Sequence, residues 1–319
     1  MSTFVAKVKN LLSGDTFVLV PQKSTQVPVP ERIVSLLHVR AGDSFESKDE
    51  LRRLLIGKAV KVTVEHKAAS GREFGDIKTP IFELLVEYGL SKGLFKLRDG
   101  ESDAVLPDLE SKARTAQLGL WSSVDTVHDV PLDEKIIEKS QKSPVSVVVE
   151  RVISGDRVVA RLLCNKTQHV VTPVLLAGIR LPRTDDESAP ASTTKIGHLA
   201  KQFVEEKLLT TTVPLKVSIL GASQSGIPVA LFVHPSGNNI SEKLLEQGYA
   251  EVVDWQSSIV GAATMSTLRK AEQTARALGK GLFGGSSSTP VSSAPAVSGA
   301  KGKLSVKLIR PGSKFDATV

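Results

Sequence analysis

Apolar and polar residues alternate, or run in β-branched stretches, over Val5–Leu11 and Thr16–Val20, on either side of Ser13-Gly14-Asp15. Two such runs across a short Gly/Asp turn predict a β-hairpin. Ile33–Val39 and Lys58–Val64 carry the same pattern and predict two more strands. Between them Glu46–Leu55 places Leu51, Leu54 and Leu55 at helical spacing, with Gly57 as the stop. A short helix is expected over Ile81–Glu87, ended by Gly89, and a last one around Pro107–Gln117, running into Gly119. Strands first and helices late predict an α+β unit, a small Greek-key barrel of the OB type with helices added.

The pattern then repeats. Val8–Thr16 (VKNLLSGDT) matches Val149–Arg157 (VERVISGDR), and LLHVRAG from Leu36 matches LAGIRLP from Leu176. LVEYGLSK from Leu85 matches LLEQGYAE from Leu244. Ala113-Arg114 and Gly119-Leu120-Trp121 match Ala275-Arg276 and Gly281-Leu282-Phe283. Four blocks recurring in one order indicate a duplicated domain, with helices expected again at Gly197–Leu209 and Thr264–Leu278. The expected division is a first domain at 1–125, a linker at 126–143 and a second domain at 144–285. Ser122–Ser143 is polar and lacks a helical or strand period. A Gly/Ser/Pro/Ala tether follows at 286–302, and 303–319 reads as the truncated start of a third copy, FDATV at Phe315 echoing FVAKV at Phe4.

Composition narrows the function. No apolar run approaches the ~18 residues of a membrane span, and the start lacks a signal peptide's apolar stretch, so a cytoplasmic location is expected, with the nucleus as a second. A single cysteine, Cys164, excludes an internal disulfide and a multi-cysteine zinc site, and reads as a buried strand residue. The histidines form no H-E-x-x-H, which removes a metalloprotease reading. The net charge of +7 invites nucleic acid, but 286–319 holds five basic groups against one acid, while 1–125 holds 18 against 17. Any interface must therefore be a local patch. Aromatics are only 4% of the chain, with Phe74 and Tyr88 as the stacking candidates, which favours backbone and shape recognition, as for double-stranded RNA.

The ordered set SGDT, LLHVRAG, GREFGDI, LLVEYGL and A-R-x-x-x-x-G-L-W resembles the staphylococcal nuclease domain. Two copies in tandem resemble the Tudor staphylococcal nucleases. That resemblance implies OB barrels, RNA binding, membership of RNA-silencing and RNA-decay assemblies, transcriptional coactivation, and calcium as the cofactor of an endoribonuclease. Carried over position by position, its first metal carboxylate falls at Asp15 and Asp156. The second falls at Arg40 and Arg180, where a cation replaces the anion. The catalytic base falls at Asp43 and Arg183, one phosphate-clamping arginine at Ser35 and Leu175, and the other at Asp76 and Ile227. An arginine beside a lone aspartate repels the ion it should help hold, and losing one donor to transition-state charge typically costs ~10²–10³ in rate. Both domains therefore read as degenerate nucleases.

Each candidate also has a structural reading. Asp15 and Asp156 are metal ligands or turn residues. Arg40 and Arg180 contact phosphate or pair with those aspartates. Lys58 and Lys61 on a strand, Arg52 and Arg53 on a helix, Arg72 in a loop, and Arg183 are phosphate contacts or solvated surface charges. Arg114 and Arg276 read as local salt bridges, and Trp121 and Phe283 as pins for the last helix. The expected function is an RNA-binding scaffold that grips phosphates of double-stranded RNA. An active calcium-dependent RNA endonuclease and a protein-interaction platform are the alternatives.

Overall fold

The structure is a computed structural model describing residues 1–42, 44–81, 84–100, 104–123, 127–185 and 188–284. Asp43, the tether and the third-copy echo lie outside the described residues. Met1–Gly285 forms one compact unit. Its first part runs β1 (Ser2–Ser13), β2 (Thr16–Val20), β3 (Arg32–Leu36), β4 (Val39–Ala41), α1 (Phe45–Leu55), β5 (Ala59–Lys67), β6 (Glu73–Lys78), α2 (Leu85–Ser91), β7 (Phe95–Leu97) and α3 (Leu106–Thr115). Five of these strands close a barrel in the order β1-β2-β3-β6-β5, and β4 pairs with β7.

The chain continues through β8 (His128–Asp129), α4 (Glu134–Lys142), β9 (Val145–Ser154), β10 (Arg157–Leu163), β11 (Gln168–Leu176), β12 (Ile179–Arg180), α5 (Ala191–Leu208), β13 (Leu215–Ala222) and β14 (Pro228–Val233). It ends in α6 (Ile240–Glu246), β15 (Glu251–Val252), α7 (Ser257–Val260) and α8 (Ala262–Ala277). Strands β9, β10, β11, β14 and β13 close a second ring, β8 adds to β11, and β12 pairs with β15. Each barrel wraps its own apolar core, Phe17, Leu36, Leu51 and Phe95 in one and Leu162, Val204, Phe232 and Leu268 in the other. The α+β reading of tandem OB barrels holds. Among the described residues no helix is long and apolar enough to cross a membrane.

Three readings need correction. The segment before the second barrel is structured: Asp133 caps α4 by accepting from Ile136 N–H at 2.8 Å, and Ile136 and Ile137 pack against the second core. Its short helix lacks the length for periodicity to stand out. The α2 block was matched one helical turn out of step. Gly93 and Gly248 are the equivalent pair, with φ +69° and +70°, and their carbonyls accept from Leu120 and Leu282 N–H, both at 2.8 Å. The repeated L-x-x-x-G spacing made Gly89 mimic Gly248. Cys164 lies just past β10 and is half-buried, and burial pushes its thiol pKa up.

The turn glycines are required by close packing and not by a left-handed backbone. Neither Gly14 nor Gly155 has positive φ. A Cβ on Gly14 would sit 2.9 Å from Ala41 Cβ, and one on Gly155 2.3 Å from Leu181 Cδ2. Only glycine allows the hairpin tip to approach the strand carrying the arginine. The following aspartate is fixed identically in both copies: Ser13 and Ser154 Oγ donate to Asp15 and Asp156 Oδ1 at 2.6 Å, and Leu36 and Leu176 N–H donate to their carbonyls at 2.8 Å.

The barrels are tied by buried polar groups. Arg52 on α1 donates to the carbonyls of Thr211 at 2.6 Å and Thr212 at 3.3 Å, just past α5. Lys9 pairs with Glu205 at 2.6 Å. Glu150, with its side chain 13% exposed, pairs with Lys48 across the interface and accepts from Arg161 Nε at 2.8 Å. Its burial alone would push the carboxyl up, but Lys48 and Arg161 override this and hold it below its ordinary value. A depressed carboxylate stabilises the fold above its unfolded pKa of about 4.3, and that contribution disappears as pH falls through the folded value. Glu150→Gln is therefore expected to cost about 2 kcal/mol at pH 7, because Lys48 loses its counter-charge while Arg161 keeps Asp129. Urea unfolding of both proteins from pH 7 to pH 3 should show this difference shrinking toward zero below ~pH 4; a pH-independent difference contradicts the pairing.

Candidate nucleic-acid interface

The rim of the first barrel is assembled by two pairings. The β2–β3 ladder sets Thr16 opposite Ser35, which places Asp15 beside Leu36. The β4–β7 ladder sets Arg40 opposite Lys96 and leads into Arg98, whose N–H donates to His38 carbonyl at 3.0 Å. Arg98 then reaches Asp15 Oδ2 and Leu36 carbonyl with one nitrogen, both at 3.4 Å. Its Nε is buried with no hydrogen-bond partner among the described residues. Burial pulls the Arg98 pKa below its ordinary value; Asp15 opposes this, while Arg40 and Arg72 add to it. The Arg98 guanidinium thus sits within the field of one carboxylate and two further guanidiniums. Arg72 and Arg98 both flank Phe74, at 5.9 and 5.8 Å from its ring centre.

The second barrel supplies an internal comparison. Register equates Leu36–Gly75 with Leu176–Ala230, because both pairs are matched across their parallel ladders. Arg72 then corresponds to Ile227, a match reinforced by the hairpin bonds Ala68 N–H to Arg72 carbonyl and Ser223 N–H to Ile227 carbonyl, both 2.8 Å. Asp76 corresponds to Leu231, so Asp76 and Ile227, matched above as one clamp position, stand four residues apart in register. Arg98 and Lys96 correspond to Val253 and Glu251. Arg180 keeps its position but pairs with Glu251 at 3.1 Å, and Arg276 lies 3.5 Å from the same carboxylate. Asp156 Oδ2 accepts from Leu181 N–H at 3.4 Å. Arg40, Arg72, Lys96 and Arg98 in one barrel thus become Arg180, Ile227, Glu251 and Val253 in the other.

The remaining candidates scatter. Arg52 is 7% exposed and its Nε bonds Asp49 at 2.8 Å, so the assignment as a phosphate contact gives way to a structural one. Arg53 pairs with the same Asp49 at 2.7 Å. Lys58 and Lys61 are exposed near the start of β5, where Lys61 faces Lys78, and Arg183 is exposed in the second barrel. Neither Arg40 nor Arg180 makes the expected pair with its aspartate. Tyr88 is occupied by Glu50 at 3.0 Å. Arg114 and Arg276 lie over Trp121 and Phe283 at 4.2 and 4.0 Å, so the pinning role of those aromatics is shared with a cation. Sequence reading missed Arg98 and Lys96, because nothing local marks them; only the β4–β7 pairing sets Lys96 opposite Arg40 and brings Arg98 to Asp15.

A calcium ion wants several hard oxygen ligands. Among the described residues the carried-over metal-ligand positions hold one carboxylate per barrel, Asp15 and Asp156, each with its Oδ1 already accepting from a serine. In the first barrel Arg98 takes the other oxygen, and Arg40 stands at the second ligand position. These residues do not fit the ion.

The staphylococcal nuclease homologue pattern matches residues 43–123 and 173–284, more than half of the chain. The chain belongs to the staphylococcal nuclease family. It is 30% identical over 318 residues to staphylococcal nuclease domain-containing protein 1 of Schizosaccharomyces pombe, covering 89% of this chain and 35% of that protein. It is 30% identical over 306 residues to the protein of the same name in Drosophila melanogaster, covering 84% and 32%. Ribonuclease TUDOR 2 of Arabidopsis thaliana is 22% identical over 349 residues, covering 83% and 35%. The chain spans about a third of the length of these relatives. Its tandem barrels and these relatives make it Tudor-staphylococcal-nuclease-like.

Proposed function

We propose that the first barrel grips RNA phosphates at its arginine-lined rim without cutting them there, and that the second barrel acts mainly as its rigid support. The observation that carries this reading is the contrast at equivalent positions. Arg98 pairs with Asp15 under the field of Arg40 and Arg72, with Lys96 opposite Arg40, whereas the second barrel has one arginine there, tied to Glu251. Fixed guanidiniums suit phosphate oxygens, for which they offer planar, paired donors. Arg98 is partly buried in a cation-rich field that a phosphate would relieve. The duplex backbone is the preferred ligand, given the scarcity of aromatic platforms. This activity fits a scaffold in RNA-silencing, RNA-decay or coactivator assemblies, as the Tudor staphylococcal nuclease resemblance implies.

The test uses one labelled double-stranded RNA and the purified chain, with and without calcium. The expected result is salt-sensitive binding, weakened in Arg40→Ala/Arg98→Ala, with the RNA intact under both conditions. Calcium-dependent cutting that disappears in Asp15→Ala overturns the proposal and establishes the endonuclease alternative. Weak, salt-insensitive binding favours a protein-interaction platform instead.

A further inference from the structure

Beside the arginine rim lies a second cluster, and it has a different chemistry. His38, between β3 and β4, Glu65 in β5, and Asp76 in β6 each offer one ligand atom, all within 4.8 Å of one another. His38 Nε2 stands 4.0 Å from Asp76 Oδ1. From this convergence we infer that His38, Glu65 and Asp76 form a divalent transition-metal site, which the second barrel has lost. Two ligands sharing a tetrahedral ion at bonds of about 2.0–2.1 Å stand about 3.3 Å apart, so modest side-chain rotation closes the set.

The backbone fixes all three positions. The His38 carbonyl accepts Arg98 N–H at 3.0 Å, and Leu37 N–H donates to Gly75 carbonyl at 3.3 Å. Glu65 is the extra residue of a β-bulge, since Val64 faces Gly75 and His66 faces Phe74. A bulge of this kind re-aims a side chain that a regular ladder would point elsewhere. At Gly75, just before Asp76, a Cβ would lie 2.0 Å from Thr63 carbonyl oxygen, so only glycine permits β5 and β6 to approach this closely.

The second barrel repeats this frame without its ligands. Its bulge falls at Leu220, between Ile219 facing Ala230 and Gly221 facing Val229. Gly178 takes the place of His38, accepting Val253 N–H at 3.1 Å, and Leu231 takes the place of Asp76. Leu220 and Leu231 pack against the second core. The fold therefore closes with apolar residues at these positions, and a histidine with two carboxylates there is not a folding requirement.

One imidazole with two carboxylates suits zinc and its neighbours better than calcium, which prefers all-oxygen sites of higher coordination. Three protein ligands leave a position for water or a phosphate oxygen. The inference does not depend on whether the arginine rim binds RNA.

The test titrates the full chain with cobalt(II) as a spectroscopic probe, then with zinc by calorimetry. The expected result is one ion per chain. His38→Gln, Glu65→Leu and Asp76→Leu should each weaken it at least about tenfold, with unfolding midpoints near the parent's in the absence of metal. Zinc should raise the parent's midpoint but not that of the triple variant. If a leucine variant fails to fold, Glu65→Gln and Asp76→Asn carry the same reading. No saturable binding, or binding undiminished in these variants, overturns the site.

Discussion

Replacing Arg52 by alanine lowers the unfolding free energy by about 3 kcal/mol, the low end of what removing one partner of a buried ion pair costs. Arg52 bonds Asp49, whose side chain is only 7% exposed, and spans from the first barrel to the carbonyls of Thr211 and Thr212. Asp49 keeps Arg53 at 2.7 Å, which limits the loss, and water can reach the two exposed-side carbonyls. Arg52→Lys should recover only part of it, because an ammonium cannot reach a carboxylate and two carbonyls in one plane. Denaturant unfolding checks this; a change under about 0.5 kcal/mol, ordinary for a surface substitution, means the arginine is not an inter-barrel tie.

The second large effect is on RNA. Arg40→Glu/Arg98→Glu should weaken duplex binding about 100-fold, since each lost charge-assisted contact is worth about 1.5 kcal/mol or more. Arg180→Glu should leave affinity within about twofold, because that guanidinium already answers Glu251. Equal losses from both barrels contradict the asymmetry. Arg98 is half-buried against Asp15, so circular dichroism of the variant must match the parent before its affinity is read.

Much of this architecture was legible because hydrophobic periodicity and repeated blocks are local signals. The hairpin around Gly14, α1 and the duplication all followed from them. What escaped was set by pairing at a distance. Strand β6 was missed because GREFGDI alternates weakly, and its place is fixed by Gly75 fitting under Thr63 carbonyl. The slip at α2 came from two similar glycine spacings, only one of which has the left-handed backbone that docks Gly119. Arg52 looked like a surface cation because a helix face cannot reveal that a second barrel covers it. Asp15, Arg40 and Arg72, whose charges meet at Arg98, were already candidates from the sequence. Arg98 was not, since its role comes from a three-residue strand pairing 83 residues from Asp15.

The most direct measurement is the salt dependence of duplex RNA binding in the parent, Arg40→Ala/Arg98→Ala and Arg180→Ala. Each phosphate contact contributes about one unit to the slope of log affinity against log salt. The account predicts a slope shallower by about two in the first variant and unchanged in Arg180→Ala. An unchanged slope in the first variant, or a loss confined to Arg180→Ala, contradicts it.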